Sequence, residues 1–371
     1  MELDGLVKAG ILALKPVIHG GRHYMQCPNA IDFSTSVNPF GPSPRVKEVI
    51  VKSIDTIGEY PDAHARRFTK VAAEYIGVDD SCIVAGNGSV ELIYLVADAL
   101  ISRGDGVIIV EPTFSEYERA STKNSATVEH VMPDDLTCML SARHISMLYE
   151  KMRKGAKLIF ICNPNNPTGS VVGREALLHM VEEAYDRGAM VLLDECFMEF
   201  SSIDCSLARY AGEFSNLIVL RSLTKAFGLA GLRIGYCITN PRLAGVLADV
   251  KVPWSVNVLA EVAGVEALRD MEYVERCRTI LAGEREYMQN RLKGMGYHPL
   301  RSSVNFFMVE VPEGVNSTAL RDGLLRRGML VRDCSNFFGL EGGRYVRISP
   351  RLRAENDVLM DAMEDVLRDG L

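Results

Sequence analysis

The stretch Arg221-Ser222-Leu223-Thr224-Lys225-Ala226-Phe227-Gly228-Leu229-Ala230-Gly231-Leu232-Arg233-Ile234-Gly235-Tyr236 sets one lysine among hydroxyls, glycines and apolar residues. Lys225 follows Ser222 and Thr224 within three positions and precedes Arg233 by eight. A lysine in that company is a poor solvated surface charge. It has the ingredients of a Schiff-base lysine, whose amine stays reactive through burial and cationic neighbours. Apolar strand patterns flank the stretch, at residues 216–220 and 236–239. Further runs of the same kind lie at 82–85, 107–110, 127–131, 157–162 and 190–193, separated by helix patterns such as 89–101, where Val90, Ile93, Tyr94 and Ala97 form one stripe, and 174–187. Short continuous apolar strands alternating with amphipathic helices predict an α/β chain with a doubly wound, mostly parallel sheet.

Such sheets place ligands at the C-terminal ends of their strands, and polar residues cluster there in this sequence. Gly86-Asn87-Gly88-Ser89 joins a strand to a helix; its glycines allow a sharp turn, and the N–H groups of Ser89 and Val90 can hold a phosphate, although a plain turn has the same composition. Asn163-Pro164-Asn165-Asn166-Pro167-Thr168-Gly169 is stiffened by two prolines and could aim an Asn at one ligand atom, or simply turn the chain. Asp194-Glu195 ends a third strand, where burial of Asp194 calls for a cationic partner unless it caps a helix.

Other chemistries find little support. There is no G-x-x-x-x-G-K-[ST], and no third glycine follows Gly86 and Gly88 to complete a dinucleotide fingerprint. His19 and His23 are four apart without a helix pattern or a third ligand, so no metal is expected. A net charge of −7, with no basic tract, disfavours nucleic acid. Nine cysteines without a C-x-x-C pair read as reduced thiols. Glu2, Asp4 and Lys8 break any leader pattern and no run of 18 apolar residues occurs, which points to the cytoplasm with no membrane role.

At 371 residues the chain is long for one domain. From about residue 256 nearly forty residues favour helix, up to Lys293 with Gly294 and Gly296 beyond. A strand at 306–311, a helix at 317–326, strands at 329–332 and 345–349 and a helix at 355–368 follow. The division read from this is an N-terminal segment, 1–45, packing with the small domain; a large domain, 46–250; and connector helices with a small α+β domain, 251–371.

Taken in order over nearly the whole length, these motifs resemble a fold-type I pyridoxal-phosphate enzyme of the class I/II aminotransferase superfamily, with an aspartate-aminotransferase-like fold. The resemblance implies that Lys225 carries pyridoxal 5′-phosphate as a Schiff base, that Asp194 pairs with its protonated ring nitrogen, and that Asn166 hydrogen-bonds its ring hydroxyl. It implies phosphate contacts from Gly88, Ser89, Val90, Ser222, Thr224 and Arg233, and a stacking ring from Phe114 in Glu111-Pro112-Thr113-Phe114. Tyr60, in Glu59-Tyr60-Pro61-Asp62, is similar to a tyrosine that reaches the neighbouring subunit's cofactor, which implies a homodimer. A pyridinium would supply the counter-charge that a buried Asp194 needs.

Two families within the superfamily compete, both acting on phosphorylated amino compounds: L-threonine-O-3-phosphate decarboxylase of cobalamin biosynthesis and histidinol-phosphate aminotransferase. His19-Gly20-Gly21, with Asp32-Phe33-Ser34-Thr35-Ser36-Val37-Asn38-Pro39-Phe40-Gly41 after it, resembles the decarboxylase opening, departing from it at Arg22 and Phe40. Arg332-Asp333-Cys334-Ser335-Asn336-Phe337, continuing to Arg347, resembles its C-terminal stretch, and Phe197 stands where aminotransferases usually place Tyr. The likeness implies decarboxylation of L-threonine O-3-phosphate to (R)-1-amino-2-propanol phosphate, with His19, Gly20, Asn38, Asn166, Arg332 and Arg347 binding substrate. Transamination of histidinol phosphate with 2-oxoglutarate is the alternative, and a non-catalytic cofactor-binding protein the reading from another class.

Overall fold

A computed structural model describes residues 6–21, 27–136 and 141–369, so His23 and Arg22 lie outside the described residues. Among the described residues thirteen strands occur in chain order: β1 Ile31–Asp32, β2 Ile83–Gly86, β3 Gly106–Val110, β4 Thr127–Val131, β5 Ala156–Cys162, β6 Met190–Asp194, β7 Leu217–Ser222, β8 Gly235–Ile238, β9 His298–Pro299, β10 Phe307–Glu310, β11 Met329–Leu330, β12 Arg332–Asp333 and β13 Tyr345–Ile348. Seven of them form one sheet in the order β2-β8-β7-β6-β5-β3-β4. Neighbours from β7 through β4 pair in parallel, and β8 runs antiparallel to both β2 and β7. The class is α/β with a mixed, mostly parallel sheet.

The continuous apolar runs have their cause in this arrangement. Alternate residues of one strand feed two separate cores: Ile108 and Val110 pack with Phe68, Ile159, Val191 and Val219 on one face. Val107 and Ile109 pack with Leu92, Ile93, Phe160 and Leu192 on the other. A strand covered on both faces has no solvent side to mark with polar residues. The helix Ser89–Leu100 starts directly from Gly88, whose φ of 79° is a conformation that favours glycine.

The C-terminal part builds a second, antiparallel sheet, β12-β13-β10-β9, over a core that includes Phe33, Phe307, Val309, Val346, Leu359 and Met363. Phe33 belongs to the N-terminal segment, and β1 pairs in parallel with β11, Ile31 opposite Met329 and Asp32 opposite Leu330. Two expectations need correction. The strand read over 329–332 is two short strands in different sheets: β11 pairs with β1, and β12, beyond Val331, pairs with β13. The helical stretch before Lys293 is two helices, Val258–Arg269 and Met271–Gly294, interrupted at Asp270 with φ −114° and ψ 49°. Hydrophobic periodicity continues across that one-residue break and hides it.

Candidate active site

Three neighbouring strands end at the same edge of the large sheet. β5 ends at Cys162, β6 at Asp194 and β7 at Ser222, and the loops that leave them deliver Asn166 and Lys225 to one cavity of about 270 Å³. The Lys225 stem edges this cavity and its Nζ lies 5.9 Å from the centre of the Phe197 ring. Burial, assisted by the nearby Arg347 and Arg233 guanidiniums, lowers its amine pKa to about 8. A lysine so shifted is about one-tenth neutral at pH 7, far more than an ordinary lysine, and that neutral fraction is the nucleophile.

Beside it, Ser89, Val90, Thr224 and Arg233 line the same space. The Arg233 guanidinium occupies the volume next to Gly88: a Cβ added there would stand 2.5 Å from Nη2. Glycine is therefore required both by the backbone angle and by the arginine. An N-terminal helix turn with an arginine laid across it is a cradle for a phosphate. Ser222 sits behind this wall, buried, with its Oγ 2.8 Å from the Thr224 Oγ1 that lines the cavity.

Asp194 is buried, yet lines the cavity. Its Oδ1 accepts from the Cys196 N–H at 2.9 Å, and its Oδ2 accepts from the Tyr117 hydroxyl at 2.6 Å. Neither donor is a cation, so a positively charged ring nitrogen in the cavity would complete its environment. Phe114, also on the wall, meets the Tyr117 ring edge-on at 5.8 Å.

The opposite wall comes from the second sheet and the N-terminal segment. Arg332 and Arg347 are directly opposed across β12 and β13, and both line the cavity. Arg332 Nη2 donates to the Ile18 carbonyl at 2.8 Å. Arg347 donates through Nη2 to the Ser34 carbonyl at 2.7 Å and through Nη1 to Asn166 Oδ1, while its buried Nε has no hydrogen-bond partner. Burial lowers the Arg347 pKa to about 10, with Arg332 adding to the same direction. Like charges directly opposite in an antiparallel pair are destabilising, and an anion between them removes that cost.

His19 and Gly20 close the cavity from the N-terminal side. His19 Nε2 lies 3.0 Å from Glu116 Oε1, and Tyr94 donates to Glu116 Oε2 at 2.6 Å. A Cβ on Gly20 would stand 3.0 Å from the Ser34 carbonyl, so the segment approaches the Ser34 loop closely.

Besides Gly88 and Ser222, which stand behind the cradle, two expected site residues are not brought to the cavity. Asn38 is buried behind Lys225: its Nδ2 donates to the Ala226 carbonyl, its Oδ1 accepts from the Phe40 N–H, and its backbone N–H donates to the Lys225 carbonyl. Its Nδ2 and its backbone N–H hold the lysine loop, while its Oδ1 turns its own segment at Phe40. Tyr60 is 86% exposed, with its ring 5.2 Å from that of Trp254. Conversely, Glu116 and Tyr117 were not singled out from the sequence. Their signal is positional: both follow Phe114 at the start of the helix Glu116–Lys123, close to the strand end that delivers it.

The aminotransferase class I and II family model matches residues 28–363. Over 376 aligned residues the chain is 31% identical to a histidinol-phosphate aminotransferase of Methanocaldococcus jannaschii, covering 98% of each chain. It is 34% identical over 364 residues to a Caldanaerobacter subterraneus subsp. tengcongensis protein provisionally named threonine-phosphate decarboxylase, covering 96% of each. The crystal structure of a histidinol-phosphate aminotransferase from Clostridium acetobutylicum superposes with a TM-score of 0.83 at 28% identity, over 91% of this chain and 99% of that one. Most of the similar relatives carry the aminotransferase name. The matched family depends on pyridoxal 5′-phosphate. The buried Asp194, the Gly88–Arg233 cradle and the shifted Lys225 amine fit that group.

Proposed function

The chain belongs to the aminotransferase class I and II family, and from that premise we propose that it is a pyridoxal-phosphate-dependent lyase that decarboxylates L-threonine O-3-phosphate to (R)-1-amino-2-propanol phosphate for cobalamin biosynthesis. The observation that carries this reading is the opposed pair Arg332 and Arg347 on the cavity wall shared with Lys225. A short substrate with a phosphate at one end and a carboxylate at the other needs two cations within one small space. When bound, the cofactor supplies an electron sink for the pair left on Cα as carbon dioxide departs.

The chain's own residues do the rest. Lys225 tethers the cofactor, Asp194 keeps its ring nitrogen protonated, Asn166 holds its ring hydroxyl, and Ser89, Val90, Thr224 and Arg233 hold its phosphate. Arg332 and Arg347 would bind the two anionic ends of the substrate and so orient the bonds at Cα, the choice that separates decarboxylation from transamination. The Lys225 ammonium would deliver to Cα the one proton that takes the place of the departed carbon dioxide. His19 and Gly20 exclude water above the substrate. Phe197 supports the lyase reading because it offers no hydroxyl beside Lys225. The exposed Tyr60, beside Trp254, reaches the cofactor phosphate of a second subunit in a homodimer.

Transamination of histidinol phosphate is the second reading, favoured by the names of most relatives. Carbon dioxide release from L-threonine O-3-phosphate without a keto acid, set against glutamate formation from histidinol phosphate and 2-oxoglutarate, separates the two.

A further inference from the structure

Tyr117 is among the largest fully buried side chains, and a ring of that size in a core would ordinarily need no further explanation. Its surroundings are too specific for filling alone. The ring stacks on Phe160 at 5.0 Å with an interplanar angle of 12°, and Phe114 abuts it edge-on. Held between them, the hydroxyl has one direction to point, and it donates to Asp194 Oδ2 at 2.6 Å. Burial and the adjacent Asp194 push the Tyr117 pKa well above its ordinary value, so the phenol keeps its proton and donates a hydrogen bond to Asp194.

We propose that Tyr117 is a positioning residue that fixes the Asp194 carboxylate edge toward the cavity and, by drawing on its negative charge, tunes the acid–base equilibrium of the nitrogen at Lys225. The inference rests on Lys225 and Asp194 as the cofactor site and is independent of whether the substrate is decarboxylated or transaminated. Asp194 already favours the protonated state of the Lys225 nitrogen, against Arg347 and Arg233. Among the described residues, Cys162 at the end of β5 and Cys196 after β6 also stand beside the pair, both pushed up by burial and by Asp194, so they stay neutral thiols. Removing the hydroxyl leaves more charge on Asp194 and strengthens its pull.

The test is a pH titration of the cofactor chromophore in the holoenzyme. Tyr117→Phe keeps the stacked ring and should raise the midpoint by about one pH unit. Asp194→Asn with Tyr117→Phe should show the midpoint of Asp194→Asn alone, because a residue acting through Asp194 has nothing to act on. Replacing Tyr117 with 3-fluorotyrosine, a stronger donor of nearly the same shape, should lower the midpoint and provides a reading if Tyr117→Phe folds poorly. A midpoint unchanged in Tyr117→Phe, or equal shifts with and without the Asp194 carboxylate, overturns the proposal. A wild-type protein that takes up no cofactor defeats the site reading itself, a distinguishable result.

Discussion

On the large-sheet side of the cavity, Asn166, Asp194 and Lys225 follow the ends of strands buried on both faces, whereas the facing arginines stand on strands of two and four residues in the second sheet and are caught by backbone carbonyls of the N-terminal segment. The first wall is fixed by two cores packed against one sheet. The second depends on contacts between segments far apart in sequence, such as Arg332 with Ile18 and Arg347 with Ser34. A cofactor kept through every turnover suits the first wall, and a substrate that enters and leaves suits the second. Cofactor and substrate functions should therefore separate under mutation.

The largest effect is expected on the first wall. Lys225→Ala should abolish the borohydride-fixable adduct and lower turnover by about a thousandfold or more, because both the tether and the proton donor are lost. On the second wall, Arg347→Ala should lower kcat/KM for phosphorylated substrate by roughly a hundredfold, about 3 kcal/mol for charged hydrogen bonds lost at a buried site, with cofactor absorbance retained. Loss of cofactor in Arg347→Ala would break the separation of the walls.

That separation also explains what was legible in the sequence. Residues 82–85, 157–162 and 190–193 read as strands because burial on both faces makes them apolar apart from the exposed Lys157, and polar residues directly after them stand out. Orientation is less visible. Asn38, next to Pro39 in a site-like pattern, turns its amide into the loop behind Lys225, and nothing in local composition distinguishes an amide that holds a backbone from one that holds a ligand. Tyr117 has the opposite history: an aromatic residue on a buried helix face reads as core, and only the arrival of Asp194, 77 residues later in the chain, gives its hydroxyl a purpose. The division of 329–332 between two sheets depends equally on remote partners, β1 and β13.

Smaller effects sharpen the contrast. Tyr60→Phe should weaken cofactor retention by about 1.5–3 kcal/mol through one lost charge-assisted hydrogen bond, measured by equilibrium dialysis, and a monomer with full cofactor occupancy would remove the intersubunit role. The last is a linkage effect in the apo-protein. Lys225 is lowered to about 8 by burial first and by Arg347 next, against an ordinary 10.5, so between those values the unfolded chain binds a proton that the folded chain lacks. Stability from this group therefore rises with pH across that window and is flat below it. Denaturant midpoints of apo-protein between pH 7.5 and about 10.5 should show a rise that Lys225→Met flattens, and an equal slope in both proteins would contradict the shift.

The proposed lyase activity is tested most directly by supplying the holoenzyme with L-threonine O-3-phosphate labelled at the carboxyl carbon, with no keto acid present. Decarboxylation predicts labelled carbon dioxide over many turnovers, with aminopropanol phosphate formed in equal amount. No labelled carbon dioxide, while the same preparation forms glutamate rapidly from histidinol phosphate and 2-oxoglutarate, would contradict the lyase assignment.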